Sequence, residues 1–197
     1  MKNQQWKINE QYEIRSMSKD EFDPLFQKYT QQLFIDKTQI FRLRDTFSTD
    51  DETSLNKLSA NMGHPFELRL GVFCGKDFVG WHYGRQDSHV QFYMQNSGIL
   101  PEHRRQGLYD QLIQRVLEIT IDMGFQSIWS RHNATNNAVI IPKLKHGFVI
   151  TGMEVSDLFG TLVHLSYFSK EIRRKMMDYR VGQIKPDSEI KNLLGID

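Results

Sequence analysis

The sequence predicts a mixed α/β domain in which an antiparallel meander is followed by a parallel strand–helix–strand crossover. Three observations carry this expectation. Between Phe66 and Ser97, three short runs rich in β-forming residues are separated by tight turns. From Leu108 to Met123 the apolar period lengthens to that of a helix. A further strand-like run, Gln126 to Arg131, follows that helix immediately.

The elements follow in order. Tyr12 to Arg15 alternates briefly and reads as a first strand. Ser18 and Glu21 have the spacing of a capping box. Behind it Phe22, Leu25, Phe26, Tyr29, Leu33 and Phe34 recur at helical spacing, with Pro24 near the start. Residues 35–64 are polar, with a second helix expected from about Ser54 to Asn61. Strands are expected over Phe66–Phe73, Phe78–Arg85 and Val90–Ser97, joined by turns at Gly75–Asp77 and Gln86–Ser88. The long helix carries Leu108, Leu112, Val116, Ile119 and Met123 on one stripe, widened by Ile113 and Leu117, and Gly124 suits its end. The strand–helix–strand order then implies a right-handed crossover between parallel strands. A short helix from about Thr135 to His146, strands near Phe148–Met153 and Thr161–Phe168, and a helical C-terminal segment complete the chain. In the helical segment Ile172, Met176 and Tyr179 form a docking stripe. No linker or repeat divides the chain, so residues 1–197 are expected to form one domain, with a core over about 12–168 and a helical extension over 169–197.

Composition narrows the function. With 25 basic against 24 acidic residues there is no global field to draw the protein to nucleic acid or an anionic membrane, and neither is expected as a partner. The basic run Arg173-Arg174-Lys175 reads as a solvated helix face. Cys74 is the only cysteine, which excludes an intrachain disulfide framework and a multi-thiolate zinc site. A buried structural thiol is expected there. The histidines lack ligand spacing, so no metal is expected. Apolar stretches are too short to span a bilayer and the N-terminus lacks a signal-peptide core, so a cytoplasmic location is expected.

The informative segment is Leu100-Pro101-Glu102-His103-Arg104-Arg105-Gln106-Gly107, a polar loop between a strand end and a helix start. A helix N-terminus presents unpaired backbone N–H groups and partial positive charge, which suit an anion. Gly107 allows a phosphate to approach the backbone closely, and Arg104 and Arg105 add charge. A plain helix start with two solvated arginines is the other reading.

Ser97 to Tyr109 resembles motif A of the GNAT acetyltransferases, which leaves a strand, passes a proline and reads Gln/Arg-x-x-Gly-x-Gly/Ala at the helix start. Arg104 and Gly107 match, whereas Tyr109 stands where the family has a small residue. Asn133 to Ala138, an apolar run and Lys145-His146-Gly147-Phe148 are similar to motif B, an Asn-led helix closing on Gly-Phe. The resemblance implies the acyl-CoA N-acyltransferase fold, acetyl-CoA as cofactor, and a small-molecule or protein amine as acceptor. It implies cofactor contacts at Ile99, Leu100, Arg104, Arg105, Gln106, Gly107, Leu108 and Tyr109, with Asn133 and Asn136 as pantetheine contacts or helix caps. It also implies a strand bulge near Ile99 and Leu100, for which Ser97-Gly98 is a plausible place. Homodimers are common in the family.

The chemistry so implied is direct attack of a neutral amine on the thioester, with a proton supplied to the thiolate. Many members carry a tyrosine for that purpose four residues before the Gly-Phe glycine, where this chain has Lys143. Tyr93, counted back from Arg104, is the candidate catalytic residue, as an acid or a link in a water chain; a half-buried strand tyrosine is its other reading. Tyr83, Tyr167, His82, His164 and Glu67 are further proton carriers on strands, and water is another candidate base. Phe34, Phe41, Asp45 and Asp50–Glu52 are candidate acceptor contacts. A CoA-binding module without catalysis and a longer-chain acyltransferase are the competing functions.

Overall fold

The computed structural model describes residues 4–33 and 46–196. Eight strands form one sheet in the order β1-β2-β3-β4-β5-β6-β8-β7. They are β1 (Gln5–Lys7), β2 (Tyr12–Ser16), β3 (Glu67–Cys74), β4 (Asp77–Gln86), β5 (Gln91–Ile99), β6 (Ser127–Asn133), β7 (Val149–Ser156) and β8 (Gly160–Phe168). The helices are α1 (Lys19–Leu33), α2 (Thr49–Ala60), α3 (Leu108–Asp122), α4 (Asn137–Lys145), α5 (Glu171–Arg180) and α6 (Ser188–Leu194). All neighbouring strands pair antiparallel except β5 and β6, which are parallel. The predicted meander and crossover are both present.

The differences have local causes. β1 is an addition to the expected strands; it pairs Gln5, Trp6 and Lys7 with Arg15, Ile14 and Glu13, a run too short for any periodicity to announce. α2 begins at Thr49, ahead of the expected Ser54, because Ser48 and Asp51 form a capping box that starts the helix earlier. At α1 the Ser18–Glu21 box forms as read: the Ser18 N–H donates to Glu21 Oε2 at 2.9 Å, and the Glu21 N–H to Ser18 Oγ at 3.3 Å. Phe34, Phe41 and Asp45 lie outside the described residues, and Asp50–Glu52 form the exposed first turn of α2.

Two cores lie on opposite faces of the sheet. On one, Leu108, Leu112, Ile113, Val116, Leu117 and Ile119 of α3 pack with Ile140 of α4 against Leu70, Phe92, Ile128 and Leu165. Each such aliphatic side chain contributes about 1.5–3 kcal/mol by leaving water. Met123, read as part of that stripe, is exposed where the helix leaves the sheet. On the other face, Phe22, Leu25, Phe26 and Tyr29 of α1 cover Phe73, Phe78 and Trp81. There is no room for a side chain at Gly98, where a Cβ would lie 2.8 Å from the Trp81 ring. Cys74 is half-buried against the main core. The basic run near the C-terminus is engaged rather than free: Arg174 bonds Asp178, while Lys175 bridges Asp187 and Glu189 and so ties α5 to α6. Among the described residues no helix is long and apolar enough to cross a membrane.

Candidate active site

Backbone pairing creates the site. β5 and β6 are joined only over Gln91–Ser127, Phe92–Ile128 and Tyr93–Trp129. Beyond that point β5 stays paired to β4 as far as Ile99, and β6 to β8 as far as Asn133. Two strands held by different neighbours but no longer by each other form a fork, open at their C-terminal ends. The bulge lies in β5 at Gln95, not at Ser97-Gly98: Asn96 is opposite Tyr83 and Met94 opposite Gly84, so Gln95 is the extra residue. The reason is side-chain direction. Met94 and Ile99 both enter the core beneath α3, which strict alternation does not allow without an inserted residue.

The loop after β5 makes a 3-10 turn over Pro101–His103 and reaches α3 through Arg105 at φ +61 and Gly107 at φ +73. Arg105 is the one described non-glycine residue with positive φ, a conformation that costs roughly 1–2 kcal/mol. Gly107 supplies no side-chain cap to α3, leaving the first-turn N–H groups facing outward, and a Cβ at Gly107 would meet nothing within 4 Å. Open space beside uncapped N–H groups fits an anion such as a pyrophosphate. Two anchors hold the loop. The Arg104 Nε–H donates to Ile99 O at 3.0 Å, and His103 Nδ1 lies 2.9 Å from the Tyr12 hydroxyl.

The predicted contacts divide accordingly. Arg105, Gln106 and Gly107 are exposed at the loop, and Leu108 anchors the helix start in the core. Tyr109 packs against the main core, so the residue that departs from the motif points away from the mouth. Burial first, and the neighbouring Asp110 carboxylate second, hold its phenol protonated well above the usual range. The Leu100 N–H does not face the fork: it donates to Val79 O at 2.9 Å within the sheet. By strand alternation the amides of Ser97 and Ile99 are the ones turned toward the fork. The Asn133 side chain accepts from the Thr135 N–H at 3.1 Å and its hydroxyl at 2.7 Å, forming the turn that precedes α4. Asn136 sits at the N-cap of α4 without a side-chain cap bond and is exposed.

Tyr93 lies on the face away from α3, at the last paired position before the fork. Its ring is 4.5 Å from that of Trp129, and its oxygen accepts from Arg131 Nε at 3.3 Å. Arg131 also bonds Glu154 at 2.7 Å, and His164 bonds the same carboxylate at 2.8 Å. These bonds, His164's first, hold the Glu154 carboxyl below its ordinary range. Tyr83 donates to Glu67 at 2.6 Å. Burial and that carboxylate push the Tyr83 phenol up to about 12, so it gives up its proton reluctantly. Burial raises the Glu67 carboxyl, but bonds from Tyr83 and Arg69 outweigh it and leave a net lowering. Tyr167 packs on Phe148.

A polar group that the sequence does not announce occupies the base of the fork, beneath α4. Lys143 is 1% exposed. Its Nζ donates to Ser130 Oγ at 2.7 Å and to Met94 Sδ at 3.4 Å, and lies 5.0 Å from the Phe148 ring centre. Ser130 Oγ is also 2.9 Å from Nε2 of half-buried His132. Burial lowers the Lys143 ammonium to about 7. His132 falls to about 3 through burial and the Lys143 charge. His82, on β4, falls to about 3 for the same two reasons; its Nδ1 bonds Ser97 Oγ at 2.9 Å and its buried Nε2 has no partner. Lys143 stood out only as a departure from motif B. Ser130 and His132 alternate like any strand pair, and only the fold brings them to Lys143.

Comparison with known proteins bears on the family and the fold. Residues 14–148, more than half the chain, match the family model described as acetyltransferase (GNAT) family. The chain belongs to the GNAT acetyltransferase family. Among solved structures, the spermidine N-acetyltransferase of Vibrio cholerae with CoA and spermine is similar at TM-score 0.58 and 16% identity, covering 82% of this chain and 97% of that one. The yncA protein of Salmonella typhimurium, with its cofactor acetyl-CoA, is similar at TM-score 0.59 and 16% identity, covering 81% and 95%. The ribosomal-protein-S18-alanine N-acetyltransferase of Escherichia coli is similar at TM-score 0.55 and 13% identity, covering 81% and 94%. At these identities the likeness is one of fold. No curated protein matches the chain by sequence. This GNAT chain carries a fully buried lysine, Lys143, in the segment that resembles motif B.

Proposed function

We propose that this GNAT chain transfers the acetyl group of acetyl-CoA to an amine by direct attack. The observation that carries this reading is the Gly107 loop, open on its outer side and tied by Arg104 to Ile99 at the end of β5, where β5 has parted from β6. An anion site and a slot with unpaired strand amides therefore share one entrance. Gly107, Arg105, Gln106 and the first-turn N–H groups of α3 hold the pyrophosphate. The Ile99 amide holds the pantetheine arm, and Leu100, Arg104, Leu108 and Tyr109 shape the loop around it. Asn136 reaches the arm from α4, while Asn133 keeps the turn before α4 in place. Acetyl-CoA supplies the activated acyl group and is consumed as a substrate.

On the opposite face Tyr93 is the proposed proton carrier for the acceptor amine. Its oxygen accepts from Arg131, and its own hydrogen remains for donation. The acceptor is a small-molecule or protein amine and the setting is cytoplasmic, with homodimerisation as the proposed assembly. A calorimetric titration with CoA and acetyl-CoA, followed by turnover against a panel of primary amines, tests the reading. Micromolar binding with turnover supports it; no binding at millimolar concentration removes it.

A further inference from the structure

We propose that Lys143, Ser130 and His132 form a buried proton relay that protonates the leaving thiolate at the base of the β5–β6 fork. The proposal rests on the acetyl-transfer reading and names the residues of that site that complete the reaction. Three observations converge. The Lys143 ammonium lies between Met94 of β5 and Ser130 of β6, the first residues of each strand beyond their last pairing. There it already donates to a sulfur, the Met94 thioether, which shows that a soft acceptor fits against it. The charge also has a route outward: Ser130 Oγ touches both Lys143 Nζ and His132 Nε2, and His132 is half-buried where Lys143 is fully buried.

The hydrogen-bond directions follow from the donors. An ammonium can only donate, so Ser130 Oγ accepts from Lys143 and its hydroxyl hydrogen turns to Nε2 of a neutral His132. His82 of β4 is the other titratable group within the field of Lys143. Among the described residues no carboxylate forms an ion pair with Nζ, so the only charge partner the ammonium can gain is one that arrives with a ligand. A thiolate formed in the fork is such a partner.

The step balances as follows. The amine nitrogen bonds to the acetyl carbon, and the carbon–sulfur bond breaks with its electron pair on sulfur. The Lys143 ammonium gives one proton to that sulfur and becomes a neutral amine. Burial is the first cause that keeps His132 neutral and the Lys143 charge the second; loss of that charge removes the second, and His132 takes a proton from solvent. Nε2 passes a proton to Ser130 Oγ, whose hydroxyl proton moves to Lys143 Nζ. The proton released by the acceptor amine leaves on the opposite face, so one proton enters and one departs per turnover. Lys143 touches the reacting sulfur; Ser130 and His132 act through it.

The test uses CoA alone as the probe, with thiolate formation followed by ultraviolet absorbance. On wild-type protein the thiol of bound CoA should titrate at least about one pH unit below that of free CoA, a tenfold shift in its ionisation constant. In Lys143→Met that shift should vanish while CoA still binds. Ser130→Ala and His132→Gln should keep the lowered thiol, because the ammonium remains, but lose about tenfold in kcat at unchanged KM, most severely at alkaline pH. Isotope-detected NMR of the lysine side chains provides a check that needs no variant: the Lys143 ammonium should be held to higher pH by CoA than by desulfo-CoA. CoA that binds wild type and Lys143→Met with the same thiol titration overturns the relay and leaves the acetyl-transfer reading standing. Equal Lys143 titration with the two ligands does the same. Failure of CoA to bind wild type overturns both.

Discussion

Replacing Gly107 by aspartate probes the loop with little interference from packing. A Cβ there meets no protein atom within 4 Å, so the cost to the fold is conformational. At φ +73 a non-glycine residue costs roughly 1–2 kcal/mol, and Asp or Asn somewhat less. The cost to binding is electrostatic. A carboxylate about 5 Å from a phosphate charge is repelled by about 0.8 kcal/mol at the dielectric constant of water and about 3 kcal/mol at an effective value near 20. CoA affinity should therefore fall by a factor of roughly 4 at the weaker limit and roughly 150 at the stronger. Gly107→Asn is the control: it has the same shape and similar strain without the charge, so its loss should be smaller. Calorimetry with CoA reads the affinity, and thermal melting checks that both variants fold. A folded Gly107→Asp protein that binds CoA as tightly as wild type would refute an anion site at this helix start.

Tyr93→Phe should slow turnover against a responsive amine without changing CoA affinity; an unaltered rate removes the hydroxyl from the mechanism. Leu112→Ala, in a side chain 1% exposed beneath α3, should cost about 2–5 kcal/mol in urea unfolding. Gly98→Ala forces a methyl to 2.8 Å from the Trp81 ring and should cost about 1–3 kcal/mol by the same measurement. The Lys143 ammonium is lowered to about 7 in the folded state from its ordinary value of 10.5, so between those values the unfolded chain binds the extra proton. Stability should rise with pH across that window, with a slope approaching about 1.4 kcal/mol per unit, and the rise should be missing in Lys143→Met. A flat difference between the two proteins from pH 7 to 10 contradicts a depressed buried lysine.

The readable parts of this protein were those that local physics specifies. Strand alternation and tight turns mark β3, β4 and β5, the apolar stripe marks α3, and Ser18 with Glu21 marks the start of α1. Gly107 after a strand and before an amphipathic helix is likewise a local pattern, and the motif A resemblance rests on it. The start of α2 at Thr49 is also set locally, by a Ser48–Asp51 box in which Asp stands where Glu is usual.

Pairing and direction were decided by the tertiary structure. The place where β5 leaves β6, the insertion of β8 between β6 and β7, and the bulge at Gln95 all depend on which strand lies alongside. The same applies to side chains. The sequence marks Tyr109 and Lys143 as departures, but cannot say that one turns into the core while the other enters the fork. Nor does it announce that Ser130 and His132 meet Lys143 from another element. The sequence by itself determined the elements and the helix-start loop, since residues a few positions apart suffice to form them. The structure alone decided the proton-bearing cluster, since its members meet only when the sheet closes and burial alters their charges.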